Sequence, residues 1–465
     1  MSTRIIVIGG GPGGYVAALR AAQLGAEVTL VEKKALGGTC LNVGCIPTKA
    51  LLHTADLFRT AQRAATIGLK VEGLRVDWPT LQQRRANVVR RLVSGVDLLL
   101  KQAGCQVING TARLQDKRSV TVTLADGSEQ VLAADKIILA TGSEPVRLPL
   151  PGFDLPEVIL SDAALSLDKV PESMLIMGGG VIGVELASLY QNLGTRCIIV
   201  EVLPQILPNL DKELAQAVHT HLARLGIKIH TGAKVKSCVP ADQGVTVAVT
   251  AQEGELSFNV SCVLAAVGRR PATAGLNLEA AGVATEQGRI TVNDQLETSV
   301  PGIYAVGDAI GGIMLAHVAS AEGTVAAENA MGQGKKIDYK TVPSCIYTQP
   351  EAASVGLSEE EALKAGYKVK IGRFPLAANG KALIEGDRGG FVKIVANERY
   401  SEVLGVQIFG PRATDLISEA ALALRLEATL DELATTIHPH PSISEAIAEA
   451  ALAANNMALH IPQRR

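Results

Sequence analysis

The sequence lacks any uninterrupted apolar run of about eighteen residues, the length that a membrane-spanning helix needs. It also lacks an excess of charge of either sign, because 44 Lys and Arg residues face 46 Asp and Glu residues and leave a net charge of −2. A protein that binds DNA or RNA usually carries a basic surface. These absences predict a protein that neither spans a membrane nor binds nucleic acid.

The cysteines do not form the even, regularly spaced set of a secreted disulfide framework, since there are seven of them at scattered positions. The first residues lead directly into an apolar segment, so we expect no targeting peptide. A reducing cytoplasm is the expected location. Hydrophobic residues make up 47% of the 465 positions and charged residues 19%, a composition typical of a globular protein with roughly two to four domains.

Two cysteines, Cys40 and Cys45, have only four residues between them. On an ideal helix their side chains would point about 140° apart, so a disulfide requires an irregular turn, which Gly44 can supply. Pro47 suits the first turn of a helix that begins just after Cys45, where the positive end of the helix dipole favours a thiolate. The alternatives to a disulfide are that the two cysteines are close only by chance or that they form half of a metal site. Metal sites usually have a C-x2-C spacing and a second ligand pair, so this spacing favours a redox disulfide.

A glycine-rich loop follows the first predicted strand, at residues 4–8, and precedes an alanine-rich helix. Its glycines Gly9, Gly11 and Gly14 match the pattern G-x-G-x-x-G, which lets a pyrophosphate approach the free N–H groups at the start of a helix. The next predicted strand ends in Glu32, whose carboxylate can bind ribose hydroxyls. The combination of strand, loop, helix and acid predicts a dinucleotide-binding unit.

The same unit occurs a second time, with glycines Gly178, Gly180 and Gly183 followed by Glu201. In each copy the acid lies 18 residues after the third glycine (32 − 14 and 201 − 183). The repeat predicts two separate dinucleotide sites; the alternative is a pair of glycine turns in sheets that hold no ligand. A carboxylate at position 201 accepts a free 2′-hydroxyl and repels a 2′-phosphate, so the second site is expected to prefer NAD over NADP.

The remaining pattern predicts an α/β fold with two Rossmann-like dinucleotide-binding domains and a C-terminal α+β domain. Small antiparallel insertions are expected near residues 111–131 and 228–264. The expected domains are residues 1–145 (first nucleotide-binding domain), 146–270 (second nucleotide-binding domain), 271–341 (a central segment that completes the first) and 342–465 (C-terminal domain).

Taken together, these features resemble the flavin-dependent pyridine nucleotide–disulfide oxidoreductases along essentially the whole chain. The motifs that carry the resemblance are residues 9–14, 37–49, 178–183, 305–308 and 438–445. The resemblance implies that the first unit binds FAD, the second binds NAD and the C-terminal domain forms a dimer. The implied FAD contacts are Gly9, Gly11, Gly14, Glu32, Gly38, Thr39, Lys49, Thr141, Gly142, Asp308 and Ala316. The implied NAD contacts are Gly178, Gly180, Gly183, Glu201 and Gly268.

The resemblance also implies the chemistry of the site. Cys45 would face the flavin and Cys40 would exchange with the substrate. His440 would be the general acid–base, and Glu445 would orient its ring. Family members place this histidine across a two-fold interface, which implies an obligate homodimer. From the residues alone, Ser442 and Glu445 also fit a capping box, S-x-x-E, at the start of a helix.

Lys49 and Glu185 each lie early on a helix that is predicted to start at a cofactor. By the resemblance they would pair beside the reactive face of the flavin. Without it, Lys49 could be only a solvated charge on its helix, as most lysines are. His438 is expected to be structural or merely near the site.

Within the family, the resemblance extends to members that oxidise protein-bound dihydrolipoamide to lipoamide and reduce NAD+. The implied partners are lipoyl domains and the acyltransferase core of 2-oxoacid dehydrogenase complexes, with glycine cleavage also possible. The alternative is another disulfide reductase, such as a glutathione-reductase-like enzyme. That enzyme would need basic residues after Val200 to hold NADPH, where this chain has Glu201. A mercuric reductase would end in a close cysteine pair, whereas the last cysteine here is Cys345.

Overall fold

The computed structural model describes residues 2–386 and 389–462. Its first strand is buried from Ile5 to Ile8, as expected of a parallel strand covered on both faces.

The helices and strands up to residue 145 are β1 (Arg4–Ile8), α1 (Pro12–Gln23), β2 (Glu27–Glu32), α2 (Gly38–Val43), α3 (Cys45–Gln62), α4 (Trp78–Gln102), β3 (Gln106–Asn109), β4 (Thr111–Asp116), β5 (Ser119–Thr123), β6 (Glu129–Ala133), β7 (Lys136–Leu139) and β8 (Ser143–Pro145).

The second part of the chain repeats the alternation of apolar strands and helices. Its helices and strands are β9 (Val158–Leu160), α5 (Ser161–Ala164), β10 (Ser173–Met177), α6 (Val181–Asn192), β11 (Arg196–Val200), α7 (Lys212–Arg224), β12 (Lys228–His230), β13 (Lys234–Ala241), β14 (Gly244–Ala251), β15 (Gly254–Val260), β16 (Cys262–Ala265) and β17 (Arg269–Pro271). Strand β10 is buried throughout its length, as β1 nearly is.

The remaining elements form a connecting segment and a C-terminal unit. They are α8 (Leu278–Ala281), β18 (Thr285–Glu286), β19 (Arg289–Ile290), β20 (Ile303–Ala305), α9 (Ala316–Ala330), β21 (Ser344–Ile346), β22 (Glu351–Gly356), α10 (Glu359–Lys364), β23 (Val369–Pro375), α11 (Gly380–Ile384), β24 (Phe391–Asn397), β25 (Val403–Gly410), α12 (Ala413–Arg425), α13 (Leu430–Thr435) and α14 (Glu445–Ala454). Short 3-10 helices are Ala64–Ile67, Gly307–Ile310 and Leu376–Ala378.

Two parallel five-stranded sheets carry the two glycine loops. The first has the order β20-β7-β1-β2-β3 and the second the order β12-β11-β10-β16-β9. In open sheets of this kind, ligands bind beyond the carboxyl ends of the strands, which is where both loops lie. The expected α/β class with two Rossmann-like units is confirmed.

The predicted antiparallel insertions are present as the three-stranded sheets β4-β5-β6 and β13-β14-β15. The second prediction was too wide, because residues 228–230 and 262–265 pair in parallel with the second large sheet. The C-terminal unit is an antiparallel sheet, β21-β22-β25-β24-β23, against which α12 and α14 pack. Its α+β character is as predicted.

Strand β20 carries residues 303–305 back into the first sheet beside β7. The ladder of β8 with β17 joins residues 143–145, at the end of the first expected domain, to residues 269–271, which span the boundary expected after residue 270. The four domain ranges remain predictions. Within the described residues, no helix is long and apolar enough to cross a membrane.

Candidate active site

The two closely spaced cysteines lie on either side of a helix break. Helix α2 ends at Val43 and α3 begins at Cys45, so that Gly44 alone separates them. Gly44 has φ −135° and ψ −116°, and a Cβ there would lie 2.8 Å from the carbonyl oxygen of Thr39. A side chain at this position would force the turn apart. The irregular turn that a Cys40–Cys45 bridge requires is therefore present.

The two sulfur atoms differ in their electrostatics. Both Cys40 and Cys45 are half-buried free thiols, and their side chains are hydrogen-bonded to each other. That hydrogen bond, followed by the charge of Lys49, lowers the pKa of Cys45 to about 7, although burial and Glu185 act in the opposite direction. The same hydrogen bond and burial raise the pKa of Cys40. Cys45 also begins α3, where the helix dipole favours a thiolate, so it is the sulfur that ionises first.

Lys49 and Glu185 form an ion pair beside Cys45. The Nζ of Lys49 lies 2.7 Å from Oε2 of Glu185, a residue on α6 that is 2% exposed. The backbone N–H of Tyr347 donates to Oε1 of Glu185 at 3.1 Å, and the Nζ of Lys49 lies 4.5 Å from the centre of the Tyr347 ring, a cation–π contact. Lys49 is thus held by two partners and is not simply a solvated helix charge.

Sequence reasoning missed two tyrosines at this site. Tyr347 comes from the C-terminal unit, and no spacing pattern connects it with α3. Tyr15, on α1, has its pKa raised by burial and then by the charge of Cys40, which places it close to that sulfur. The sequence signal that could have identified Tyr15 as a site residue was its position directly after Gly14, on the helix that starts at the glycine loop.

The first glycine loop packs closely against the end of β7, the first turn of α1 and the start of α2. Gly9 has φ +104°, and a Cβ there would lie 2.3 Å from the Ala140 carbonyl oxygen. A Cβ at Gly14 would lie 1.8 Å from the Gly9 carbonyl oxygen, and one at Gly38 would lie 2.7 Å from the Cα of Gly11. These approaches exclude any side chain, so the backbone itself forms the cradle in front of α1.

The second loop repeats this geometry almost atom for atom. Gly178 has φ +106°, and a Cβ there would lie 2.4 Å from the Ala266 carbonyl oxygen. A Cβ at Gly183 would lie 2.0 Å from the Gly178 carbonyl oxygen. A Cβ at Gly180, the N-cap immediately before α6, would meet no atom within 4 Å. Open space therefore faces the amino end of α6, as a phosphate site requires.

The acid of each unit is held in the same way. Oε2 of Glu32 accepts the N–H of Gly10 at 2.6 Å, and Oε2 of Glu201 accepts the N–H of Gly179 at 2.6 Å. The other oxygen of each acid accepts the backbone N–H two residues further on, at 2.7 and 2.8 Å. The two acids are 8% and 7% exposed. Each carboxylate is thus fixed next to its glycine loop, where a ribose would lie.

The other residues predicted for the first site gather at the same sheet edge. Thr141 and Gly142 follow β7, Asp308 lies in the 3-10 turn after β20, and Ala316 begins α9. The buried hydroxyl oxygen of Thr141 has no hydrogen-bond partner among the described residues. Such an atom costs about 1–3 kcal/mol unless a ligand satisfies it, so the cleft fits a polar dinucleotide. In the second unit, Gly268 has φ +117° with open space beside it.

His440 and Glu445 form a hydrogen-bonded pair, with Nδ1 and Oε1 2.9 Å apart. The other oxygen of Glu445 accepts the N–H of Ser442 at 2.8 Å. Burial acts to raise the pKa of Glu445, but the Ser442 amide and the His440 ring outweigh it and lower that pKa. Helix α14 begins at Glu445 with Ser444 as its N-cap, so the capping box is present only in part: the Ser442 N–H donates to the Glu445 carboxylate, but the Ser442 hydroxyl pairs with that of Ser444.

The His440 side chain is 80% exposed. Among the contacts of residues 2–386 and 389–462, none joins it to Cys40 or Cys45 of the same chain. His438, by contrast, is 7% exposed in its side chain, and its Nε2 lies 2.8 Å from Oε1 of Glu419. His438 is therefore part of the packing of the C-terminal unit.

Known proteins match this chain over nearly its whole length. Residues 3–323 match the family model described as pyridine nucleotide-disulphide oxidoreductase, and residues 342–451 match the model of its dimerisation domain. A dihydrolipoyl dehydrogenase from Bacillus subtilis is 44% identical, over 98% of each chain. Another from Thermus scotoductus is 45% identical, over 99% of each chain.

Solved structures agree in fold. LpdA from Mycobacterium tuberculosis has a TM-score of 0.90 and 31% identity, over 97% of this chain and 99% of that one. The Cu(II) complex of RclA, an HOCl-induced flavoprotein disulfide reductase from Escherichia coli, has a TM-score of 0.87 and 29% identity, over 97% and 99%. With two glycine loops, a close thiol pair and these matches, the chain belongs to the pyridine nucleotide-disulphide oxidoreductase family.

Proposed function

We propose that this protein is a dihydrolipoyl dehydrogenase, which oxidises protein-bound dihydrolipoamide to lipoamide and reduces NAD+ to NADH and H+. The observation that carries the proposal is the position of the Cys40–Cys45 pair: α2, which carries Cys40, packs at Gly38 against Gly11 of the first glycine loop, and Lys49 on α3 pairs with Glu185 of the second unit. The full-length likeness to relatives of that name supports the choice of substrate.

We assign FAD to the first unit and NAD to the second. The support for FAD is the cleft of glycine backbone, the unsatisfied Thr141 hydroxyl and the Asp308 carboxylate at one sheet edge. The support for NAD is Glu201, whose carboxylate would accept a ribose 2′-hydroxyl and repel a 2′-phosphate. The chemistry that FAD supplies when bound is the conversion of an electron pair from thiols into a hydride for NAD+.

The residues of this chain provide the thiol–disulfide exchange, starting from a Cys40–Cys45 disulfide. A base, His440, takes a proton from one substrate thiol, and the resulting thiolate attacks the sulfur of Cys40. The Cys40–Cys45 bond breaks and Cys45 leaves as a thiolate, which the charge of Lys49 and the amino end of α3 favour. His440 then passes that proton to Cys40 as it leaves and takes the proton of the second substrate thiol, which attacks the substrate sulfur bonded to Cys40 and breaks that bond. Cys40 ends as a thiol, as its raised pKa favours, and His440 holds the second proton. The substrate loses two electrons and two protons, and the cysteine pair gains the two electrons.

We further propose that two copies of the chain form the active enzyme and that His440 acts in the site of the partner subunit. The support is the match of residues 342–451 to the dimerisation domain and the 80% exposure of the His440 side chain. Lipoyl domains would deliver the substrate, and the acyltransferase core of a 2-oxoacid dehydrogenase complex is the proposed larger partner.

The first test is the variant Cys45→Ser. It should retain the yellow flavin but lose turnover of dihydrolipoamide with NAD+, because no disulfide can form with Cys40. The control, Cys105→Ser, should be active, since Cys105 is remote and its sulfur already donates to the Ala18 carbonyl oxygen as a hydroxyl could. Wild-type protein should prefer the pair dihydrolipoamide and NAD+ to the pair oxidised glutathione and NADPH; the opposite preference would favour the glutathione-reductase-like alternative.

The second test concerns the charge next to the thiolate. Removal of the Lys49 ammonium in Lys49→Met should raise the pKa of Cys45 above about 7, because a nearby cation favours the thiolate and Glu185 would lose its partner. The thiolate would then form at higher pH. We would measure thiolate absorbance against pH in the reduced enzyme. Lys101→Met, which removes an exposed lysine paired with Asp97, is the matched control and should leave the midpoint in place.

The third test separates the two nucleotide sites. Glu201→Gln should weaken NADH binding by about ten- to a hundredfold, because a hydrogen bond to a charged group is lost. The variant should also prefer NADH over NADPH less strongly than the wild type does, and its flavin content should be unchanged. Glu32→Gln should do the reverse and weaken flavin retention while NADH still binds. Titration with each nucleotide and the flavin absorbance measure these effects. Equal losses at both sites in either variant would contradict the assignment.

The fourth test asks where His440 acts. Neither Cys45→Ser nor His440→Gln should be active alone. If His440 serves the other subunit, a mixed dimer of the two variants contains one complete site and should regain activity. If His440 serves its own chain, both sites of the mixed dimer stay incomplete. Co-expression with two affinity tags isolates the mixed dimer, and an inactive mixed dimer would refute the shared site.

A further inference from the structure

A chain of hydrogen bonds connects Arg269 to Asp308 through Ser143. Ser143 Oγ donates to Oδ2 of Asp308 in a short hydrogen bond. The Nε of Arg269 donates to the same Ser143 Oγ at 2.8 Å, and its Nη2 donates to the Ser143 carbonyl oxygen at 2.8 Å. Arg269 thus holds both the side chain and the backbone of Ser143.

The strand pairing explains why only Arg269 can do this. Strands β8 and β17 form an antiparallel ladder in which Arg270 lies opposite Glu144. Successive side chains of a strand point to opposite faces, so Arg269 and Arg270 point in opposite directions. Arg270 pairs with Glu144 instead, with Nη2 and Oε1 2.9 Å apart, and both side chains are exposed. The neighbouring arginine is therefore a natural control.

The chemistry of the three groups favours one orientation of Asp308. The guanidinium can only donate, so the Ser143 oxygen must accept from it and direct its own hydrogen to the carboxylate. The cation polarises the hydroxyl and strengthens that bond. With Oδ2 occupied, no hydrogen bond from a described residue reaches Oδ1 of Asp308. One oxygen is fixed and the other is free for a hydroxyl of a ligand.

We propose that Arg269, acting through Ser143, is a positioning residue of the flavin site, which holds Asp308 so that its free oxygen can accept a hydroxyl of the bound flavin nucleotide. This inference rests on the proposed function, because it takes FAD as the ligand of the first unit. Arg269 directly follows Gly268, which is assigned to the NAD site. Arg269 therefore connects the edge of the proposed NAD site to Asp308, a proposed ligand contact of the FAD site.

The test measures how fast the full-length holoenzyme loses FAD, from the rise of flavin fluorescence after dilution. Arg269→Ala should lose FAD about ten- to a hundredfold faster, the effect of removing a hydrogen bond made by a charged group. Ser143→Ala should behave similarly, whereas Ser143→Thr retains the hydroxyl and should remain close to wild type. Arg270→Ala, on the other face of the ladder, should not change the rate. NADH binding by each variant checks that the second unit is folded.

Because Arg269 acts through Ser143, the double variant Arg269→Ala/Ser143→Ala should lose FAD no faster than the more affected single variant. Additive effects of the two changes would overturn the proposed relay. So would an unchanged rate in Arg269→Ala, or an equal acceleration in Arg270→Ala, which would point to the ladder alone. A wild-type protein that binds no FAD would overturn the proposed function itself, and this result is distinguishable because it precedes any variant.

Discussion

The ion pair between Lys49 and Glu185 is the interaction on which the arrangement of the site depends. It connects α3, which begins at Cys45 of the thiol pair, to α6, which begins at the second glycine loop. Glu185 is almost wholly buried, and loss of its partner would leave an uncompensated charge, at a cost of about 3–5 kcal/mol. The backbone N–H of Tyr347, in the C-terminal unit, donates to the same Glu185 carboxylate. Three parts of the chain thus meet within contact distance of the charge that stabilises the Cys45 thiolate.

The molecule uses one physical device three times. The amino ends of α1 and α6 present free N–H groups and a positive field behind a glycine loop, and the amino end of α3 presents the same field to Cys45. In the proposed enzyme, the amino ends of α1 and α6 would each hold a phosphate, and that of α3 a thiolate. A single backbone property therefore serves both nucleotide binding and thiol chemistry in the proposed enzyme.

Much of the site could be predicted because its motifs are local. The strand, glycine loop, helix and acid of each unit lie within about thirty residues, and close packing leaves room only for glycine at Gly9, Gly14, Gly178 and Gly183. The predicted break at Gly44 follows from the same local logic. The capping box predicted at Ser442 is present in part, also for a local reason: the Glu445 carboxylate accepts the Ser442 amide as predicted but also bonds the His440 ring, and α14 starts later than the S-x-x-E pattern suggests.

The sequence by itself determined the two nucleotide-binding units, the acid at the end of each second strand and the position of the thiol pair, because each depends on the conformations of neighbouring residues. Only the tertiary structure decided which side chains surround Cys45. Lys49 and Glu185 are 136 residues apart, and Tyr347 is 162 residues beyond Glu185. The relay from Arg269 to Asp308 likewise forms only when β8 pairs with β17. Contacts at such separations depend on how sheets and helices pack, which no local spacing in the sequence records.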